Sequence, residues 1–249
     1  MNFHWMVEND LSKKDLESCL HNLEQTGYQS ALLTFHGKEE DPFIKAASMI
    51  DKFNKIKFMV AIRPYALTPM YCSMMCKSFN SLSNNRLILN IVNGTFDEDT
   101  EDFELNSSID QRRLEAHNFA QKLLDETQVD LAFSGSSDQT IKNSIDFGKI
   151  NISMLSLINN EWSSILLKNK ITPMVRSFII VKKTSQEALL ELKQIDVPRL
   201  SNNTIAGSKE EVIDKLNSLA ELGINDFMVS NLYGINDSES IHELVREII

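Results

Sequence analysis

Residues 57–94 read KFMVAIRPYALTPMYCSMMCKSFNSLSNNRLILNIVNG, and this stretch decides the fold. Lys57–Ile62 is a short apolar run that stops at Arg63-Pro64, because the residue before proline avoids helical geometry and proline donates nothing to a ladder. Thr68-Pro69 then opens a helix to about Leu82, and Leu87–Val92 is a second apolar run ending at Asn93-Gly94. Strand, helix, strand in that order reads as a unit of parallel sheet with a helical crossover.

The same alternation extends both ways. Upstream, Phe3–Val7 reads as a strand, followed by a helix capped by Ser12, carrying Leu16, Leu20 and Leu23 on one face and ending at Gly27. Ala31–Phe35 is the next strand, and Asp41-Pro42 starts a helix through Phe53. Downstream, a helix from Asp110 to about Thr127 leads to a strand at Asp130–Ser134, and Gly135-Ser136-Ser137 opens a helix to about Phe147. Strands at Ile150–Leu155 and Val175–Lys182 follow, with a weaker helix at Ser163–Lys168 and one capped by Thr184-Ser185. Ile195–Asn203 reads as an irregular loop. Ser208 with Glu211 forms a capping-box pattern ahead of Val212, Leu216, Leu219 and Leu222, then Phe227–Ser230 is the last strand and Ser238 caps a helix to Ile249. Eight strands with no linker between them predict an α/β fold, one (β/α)8 barrel (a TIM barrel) over residues 1–249, a common length for that architecture.

Composition removes other classes. Hydrophobic residues make up 42%, enough for a buried core, and 25 Lys+Arg against 35 Asp+Glu give a net charge of −10, which argues against nucleic-acid binding. No apolar run is long enough to span a membrane, and Met1–Asp10 lacks the basic start and apolar run of a signal peptide, so a cytoplasmic location is expected. Cys19, Cys72 and Cys76 have no zinc or redox spacing; the last two share a helix face and read as core packing. The acidic stretch Asp97–Glu104 reads as a solvated loop. Met70, Met74, Met75 and Phe79 fit barrel packing, with an interface as the alternative.

A barrel keeps its chemistry at the carboxyl ends of its strands. Those positions hold Glu8, His36, Arg63, Asn90, Asn93, Gly94, Ser134 to Ser137, Arg176, Lys182, Ser230, Asn231 and Tyr233. They contain no metal set, so no catalytic metal is expected. They do offer hydroxyl, amide and guanidinium donors, and the Gly135-Ser136-Ser137 turn presents free N–H groups at a helix start, a place for a phosphate. His36 alone among the histidines follows a strand end, where a side chain titrating near pH 6.5 suits proton transfer. His4, His21, His117 and His242 fall within predicted elements and read as surface or packing residues. Arg176 interrupts the otherwise apolar Val175–Val181, where a charge needs a polar ligand or a carboxylate.

Several of these segments resemble the luciferase-like, flavin-dependent monooxygenases, with the alkanesulfonate monooxygenases as the nearest pattern. They are Ala46–Ile50, Lys57–Pro64, Thr68-Pro69, Leu82–Leu87, Asn90–Gly94, Leu131–Ser137, Ala206–Val212 and Ala220–Ile224. The resemblance implies a barrel that binds reduced FMN supplied by a separate flavin reductase, and that oxidises a small organic substrate with O2 through a flavin C4a-(hydro)peroxide. It also implies a dimer of like or unlike chains. Carried over by position, Ala61 and Ile62 support the isoalloxazine, Asn90, Asn93 and Gly94 lie beside it, and Arg113, Ser136 and Ser137, with Gly135 in the turn, hold the phosphate. Arg176 matches an active-site arginine, with His36 as the candidate proton donor or acceptor.

The departures fall in the substrate pocket. Glu39 stands where the sulfonate enzymes have a cysteine, Phe178 where they have a histidine, Leu114 where they have a tyrosine, and Tyr233 lies one position from another family tyrosine. The family's insertions after strands four and seven are largely missing, giving a compact, shortened form. These departures leave a second reading, a non-catalytic flavin-binding or accessory subunit of a heterodimer, and related barrels leave a deazaflavin as the alternative cofactor.

Overall fold

Every strand pairing in the computed structural model is parallel. The structure describes residues 1–8, 10–94, 101–159, 162–230 and 238–249. Its strands are β1 (Asn2–Val7), β2 (Ser30–Leu33), β3 (Lys57–Ile62), β4 (Leu87–Val92), β5 (Asp130–Ser134), β6 (Lys149–Ser153), β7 (Met174–Lys182), β8 (Thr204–Ser208) and β9 (Asp226–Ser230). The sheet runs β6-β5-β4-β3-β2-β1-β9-β7, and β6 pairs back onto β7, closing an eight-stranded TIM barrel.

The helices between the strands are α1 (Lys13–Thr26), α2 (Pro42–Ala47), α3 (Pro69–Ser83), α4 (Ile109–Glu126), α5 (Asp138–Phe147), α6 (Met154–Asn159), α7 (Trp162–Lys168), α8 (Ser185–Lys193), α9 (Pro198–Ser201), α10 (Lys209–Glu221) and α11 (Ser238–Ile248). Their starts follow the sequence chemistry: Ser12, Asp41, Thr68, Ser137, Thr184 and Ser208 each accept a backbone N–H from the first turn. Ser208 and Glu211 form the full capping box, and Gly27 ends α1 at φ 98°, where glycine alone is unstrained.

Four elements differ from the sequence expectation: α6 begins at Met154, inside the expected strand Ile150–Leu155, α9 lies inside the expected loop Ile195–Asn203, and two more differ in extent or kind. The first is α2, which stops at Ala47 and gives way to a 3-10 turn at Ile50–Lys52, short of the helix expected through Phe53. The second is β8, which follows the expected loop Ile195–Asn203 and runs into the Ser208 cap, where no strand was expected. It pairs Thr204 through Ser208 with Phe178 through Lys182, the half of β7 beyond its pairing with β6. The length of β7, nine residues, is what allows a ninth strand to attach beside the closed ring.

Strand alternation divides the core in two. Phe3, Trp5, Val7, Phe58, Val60, Ile62, Ile150 and Ile152 pack outward with the helix residues Leu16, Leu20, Leu23, Cys72, Cys76 and Phe79. The intervening positions point inward, and their buried apolar members Leu32, Met59, Ala61, Ile88, Ala132, Met174 and Met228 fill the barrel interior. Cys72 and Cys76 are therefore core residues, as their shared helix face suggested.

Candidate active site

The inward positions become polar toward the carboxyl ends of the strands. Continuing the alternation from Ile88, Ala132, Met174 and Met228 brings Asn90, Ser134, Arg176 and Ser230 to the inner face, with Asn151 between them on β6. An apolar floor thus carries a polar mouth. Ser134 donates its hydroxyl to Asn90 Oδ1 at 3.0 Å, and both Asn90 and Asn151 are buried.

A second polar group sits beside the mouth at the start of α5. Ser137 caps the helix, its Oγ standing 2.9 Å from Thr140 Oγ1, and Asn93 Nδ2 reaches that Thr140 oxygen at 3.4 Å. Arg112, 7% exposed, donates to the carbonyls of Ser107 (2.9 Å) and Gly94 (3.1 Å), tying α4 to the turn after β4. Arg112 Nε and Asn93 Oδ1 are buried with no hydrogen-bond partner among the described residues. Gly94 at φ 65° and Gly135 at φ 137° both occupy left-handed conformations that let the chain turn sharply at these strand ends. A buried guanidinium N–H, a helix start and a serine-rich turn on neighbouring loops suit an anionic group such as a phosphate.

The segment before α4 crosses toward the loop after β2. Asp102 pairs with Lys38 at 2.9 Å, and Phe103 packs against Phe35 (centroids 5.9 Å) and Tyr65 (5.3 Å). The Arg63 guanidinium lies 5.3 Å over the Phe35 ring, so the β2, β3 and β4 ends are joined by one aromatic cluster. The acidic stretch is therefore partly a docked segment, whereas a fully solvated loop was expected; its residues 97–100 lie outside the described residues.

The sequence-derived candidates separate by their place in the barrel. Ala61, Asn90 and Arg176 meet at the inner face, and Asn93, Gly94, Gly135, Ser136 and Ser137 lie at the turns beside it. Phe178 packs with Ile180, Ala188 and Ala206 at the upper part of β7, with Met6 against it. His36 is exposed on the loop after β2, next to the Gly37 and Lys38 that Asp102 touches.

The others do not join that set. The Ile62 side chain points into the outer core, so only its backbone faces the mouth. Arg113 is paired with Asp110 at 2.6 Å on the outer side of α4. Glu39 lines a crevice with Val7, Leu33 and Leu16, which are outward-facing residues, so the crevice lies outside the ring. Leu114 is exposed. Tyr233 lies outside the described residues.

Sequence reasoning missed Asn151, Arg112, Thr140 and Phe103. Arg112 was legible: with Ala116, Phe119, Ala120 and Leu123 it falls on the buried stripe of α4, where an arginine needs a reason. Asn151 was legible too, as the polar residue between Ile150 and Ile152 on a strand with both faces covered.

At the opposite end of the barrel, His4 Nδ1 lies 2.7 Å from Ser30 Oγ and His4 Nε2 lies 3.3 Å from Asp226 Oδ1. Burial depresses the His4 pKa against the opposing pull of Asp226. Ser30 is fully buried, so this arrangement locks the closure between β1, β2 and β9. Among the described residues no three His, Cys, Asp or Glu side chains stand together as metal ligands, and no helix is long and apolar enough to cross a membrane.

Comparison with known proteins gives the chain its relatives. Residues 1–137 match the family described as luciferase-like monooxygenase. Among solved structures, the EDTA monooxygenase of Chelativorans sp. BNC1 superposes with a TM-score of 0.82 at 12% identity, over 100% of this chain and 93% of that one. A riboflavin lyase with modified FMN and riboflavin gives 0.84 at 13%, over 100% and 91%. The F420-dependent tetrahydromethanopterin reductase of Methanopyrus kandleri gives 0.75 at 12%, over 99% and 97%. At these identities the likeness establishes the fold.

Proposed function

The chain belongs to the luciferase-like monooxygenase family, and on that premise we propose that it is an FMN-dependent monooxygenase working with a separate flavin reductase, one barrel domain acting on a small organic molecule and O2. The observation that carries this reading is the pair of unpartnered buried atoms, Arg112 Nε and Asn93 Oδ1, beside the Ser137 helix start and the polar barrel mouth.

Bound at this mouth, the reduced flavin supplies the electrons that activate O2. The protein's part is binding, orientation and exclusion of water. Ser136, Ser137 and Arg112 hold the phosphate, Arg112 taking the place that position alone gave to Arg113. Asn93 and the Gly94 turn border the ring, Ala61 gives it a flat apolar seat, and Asn90, fixed by Ser134, keeps its carboxamide in one orientation. Arg176 orients the substrate by charge, and His36 exchanges a proton at its imidazole from the exposed loop. Phe103, seated on Phe35 and Tyr65, shields the mouth from water. Phe178 contributes an apolar wall.

Anaerobic titration with reduced FMN tests this reading. One equivalent bound per chain, with substrate-dependent O2 consumption when a reductase and NAD(P)H are added, is the expected result. Absence of any reduced-flavin binding would end it. Because F420 proteins share the fold, the same titration with reduced F420 decides between FMN and a deazaflavin. Binding without turnover on every candidate substrate would favour the accessory-subunit reading.

The partner surface follows from α3. Met70, Tyr71 and Met74 are exposed on that helix, although the Met-rich segment read first as barrel packing; Phe79 alone of its large residues is fully in the core. An apolar face of this kind fits a second barrel chain in a cytoplasmic dimer. A monomeric sedimentation coefficient at micromolar concentration would remove the dimer.

A further inference from the structure

Asn151 lies on the inner face of β6, paired in register with Ser134 on one side and Met174 on the other. It is 2% exposed, and among the described residues neither its Nδ2 nor its Oδ1 meets a hydrogen-bond partner. An amide nitrogen and oxygen left unpaired on one buried side chain are destabilising unless a ligand or a bound water pairs them. The nearest amide of the same polar zone, Asn90, is already engaged by Ser134, so Asn151 is the inner-face carboxamide left to face a ligand. Its backbone is also anchored to the proposed phosphate turn, since Gly135 N donates to the Asn151 carbonyl at 3.2 Å.

A carboxamide presents a donor and an acceptor side by side, and it pairs in a bidentate way with a ring edge carrying the reverse pattern. We propose that Asn151 is a specificity-determining residue that reads the imide edge of the flavin-type ring, its Nδ2–H donating to a ring carbonyl and its Oδ1 accepting from the ring N3–H. This rests on the reading that a flavin-type cofactor occupies the mouth. The anchored Gly135 then sets the distance between the point where the phosphate is held and the point where the ring is read, so that the site measures both ends of one molecule.

The test compares FMN with 3-methyl-FMN, which lacks the N3–H, by equilibrium titration of the full chain. Wild type is expected to favour FMN about tenfold, the ratio that about 1.4 kcal/mol supplies. Asn151→Leu and the smaller Asn151→Ser are expected to bind FMN more weakly and to lose that preference. In isotope-edited infrared spectra the ring carbonyl stretch of bound FMN is expected to rise in both variants, as a carbonyl does on losing a donor. Equal wild-type affinity for the two ligands, or a preference and carbonyl frequency unchanged in both variants, overturns the assignment while leaving flavin binding standing. The wild-type comparison needs no variant to fold. If wild type binds neither FMN nor F420, the cofactor reading itself fails, and the assignment with it.

Discussion

Ser134 Oγ donates to Asn90 Oδ1 at 3.0 Å across the β4–β5 pairing, between residues separated by 44 positions in the chain. The bond consumes the acceptor of one inner-face amide and thereby fixes which way its Nδ2–H points. In a mouth built from single polar side chains on rigid strands, that orientation determines what a ligand meets.

Removing the donor should therefore cost more than one hydrogen bond. In Ser134→Ala the buried Asn90 oxygen loses its partner, and stability is expected to fall by about 1–3 kcal/mol. FMN affinity is expected to fall as well, because Asn90 becomes free to rotate. Urea unfolding and flavin titration on the same preparation check both, and an unchanged affinity would show that Asn90 does not face the cofactor.

The adjacent arginines of α4 separate cleanly. Arg112 is buried with an unpartnered Nε, whereas Arg113 is paired with Asp110 on the outer side. Arg112→Lys is expected to lower the affinity for FMN about tenfold relative to riboflavin, which has no phosphate, since a lysine cannot hold two carbonyls and still donate from a planar fork. Arg113→Lys should leave the FMN-to-riboflavin ratio where it was. Taking the ratio removes any general loss of folding, because Arg112 also braces Ser107 and Gly94.

Much of the architecture is legible in the sequence because its signals are local. The caps Ser12, Asp41, Thr68 and Ser208, the terminator Gly27 and the apolar strands are set by neighbouring residues. What was not legible depends on distant partners. Thr204–Ser208 holds the small residues Ala206 and Gly207 and ends in a helix cap, so its local signal is for a turn, and it is a strand only because β7 extends beyond β6. Arg112 could be read off the buried stripe of α4, but its contact with the turn after β4, which sets it apart from Arg113, could not. Phe103 sits among acidic residues, and its docking required Phe35 and Tyr65 to be side by side. The Ile62 side chain faces away from the mouth simply because strand neighbours point to opposite faces.

Phe103 gives a kinetic prediction. It contacts two aromatic rings, each such pair adding about 0.5–1.5 kcal/mol, while Asp102 holds the same segment to the exposed Lys38. Phe103→Ala is expected to speed flavin release severalfold and to raise the iodide quenching of bound-flavin fluorescence. Lys38→Ala should do much less, because an exposed ion pair contributes little. Equal release rates in wild type and Phe103→Ala would show that the segment does not cover the cofactor.

His4 makes the fold acid-sensitive, and the direction follows from its environment. Burial lowers its pKa in the folded chain, helped by Lys149 and Lys57 and opposed by Asp226, while Ser30 occupies its other nitrogen. Below the ordinary value near 6.5 the unfolded chain takes up a proton that the folded chain refuses, so stability is full above about pH 6.5 and declines as the pH falls toward the depressed folded value. His242, buried against Trp5 and Tyr28 and likewise lowered by burial, adds to the same slope. Asp226 acts in a separate window: burial raises its pKa but the His4 contact outweighs it, the net value is lowered, and its contribution is lost only below about pH 4. The unfolding free energy from urea titration is therefore expected to drop between pH 7.5 and 5.5, by up to about 1.4 kcal/mol per pH unit for each histidine, and His4→Gln should flatten part of that slope. An unaltered slope in His4→Gln would place the sensitivity elsewhere.

Gly148 joins α5 to β6 and sets the spacing on which Asn151 depends. A Cβ there would lie 2.4 Å from the Leu131 carbonyl oxygen, a backbone atom of β5 that cannot step aside without moving the strand. Gly223 poses the opposite problem: its φ of 88° strains any other residue, but the nearest atoms to a Cβ are the flexible Leu167 methyls at 3.4 Å and 3.5 Å. Strain of that second kind costs about 1–2 kcal/mol. A clash with backbone spreads into the β5–β6 ladder, so Gly148→Ala is expected to lose more than about 2 kcal/mol in urea unfolding and to exceed Gly223→Ala. Because β6 would be pushed from β5, the Gly135 to Asn151 bond at 3.2 Å should lengthen, and flavin affinity should fall in Gly148→Ala while Gly223→Ala binds normally. Equal stability losses with normal flavin binding in both would mean that the β5–β6 spacing is not what positions the mouth.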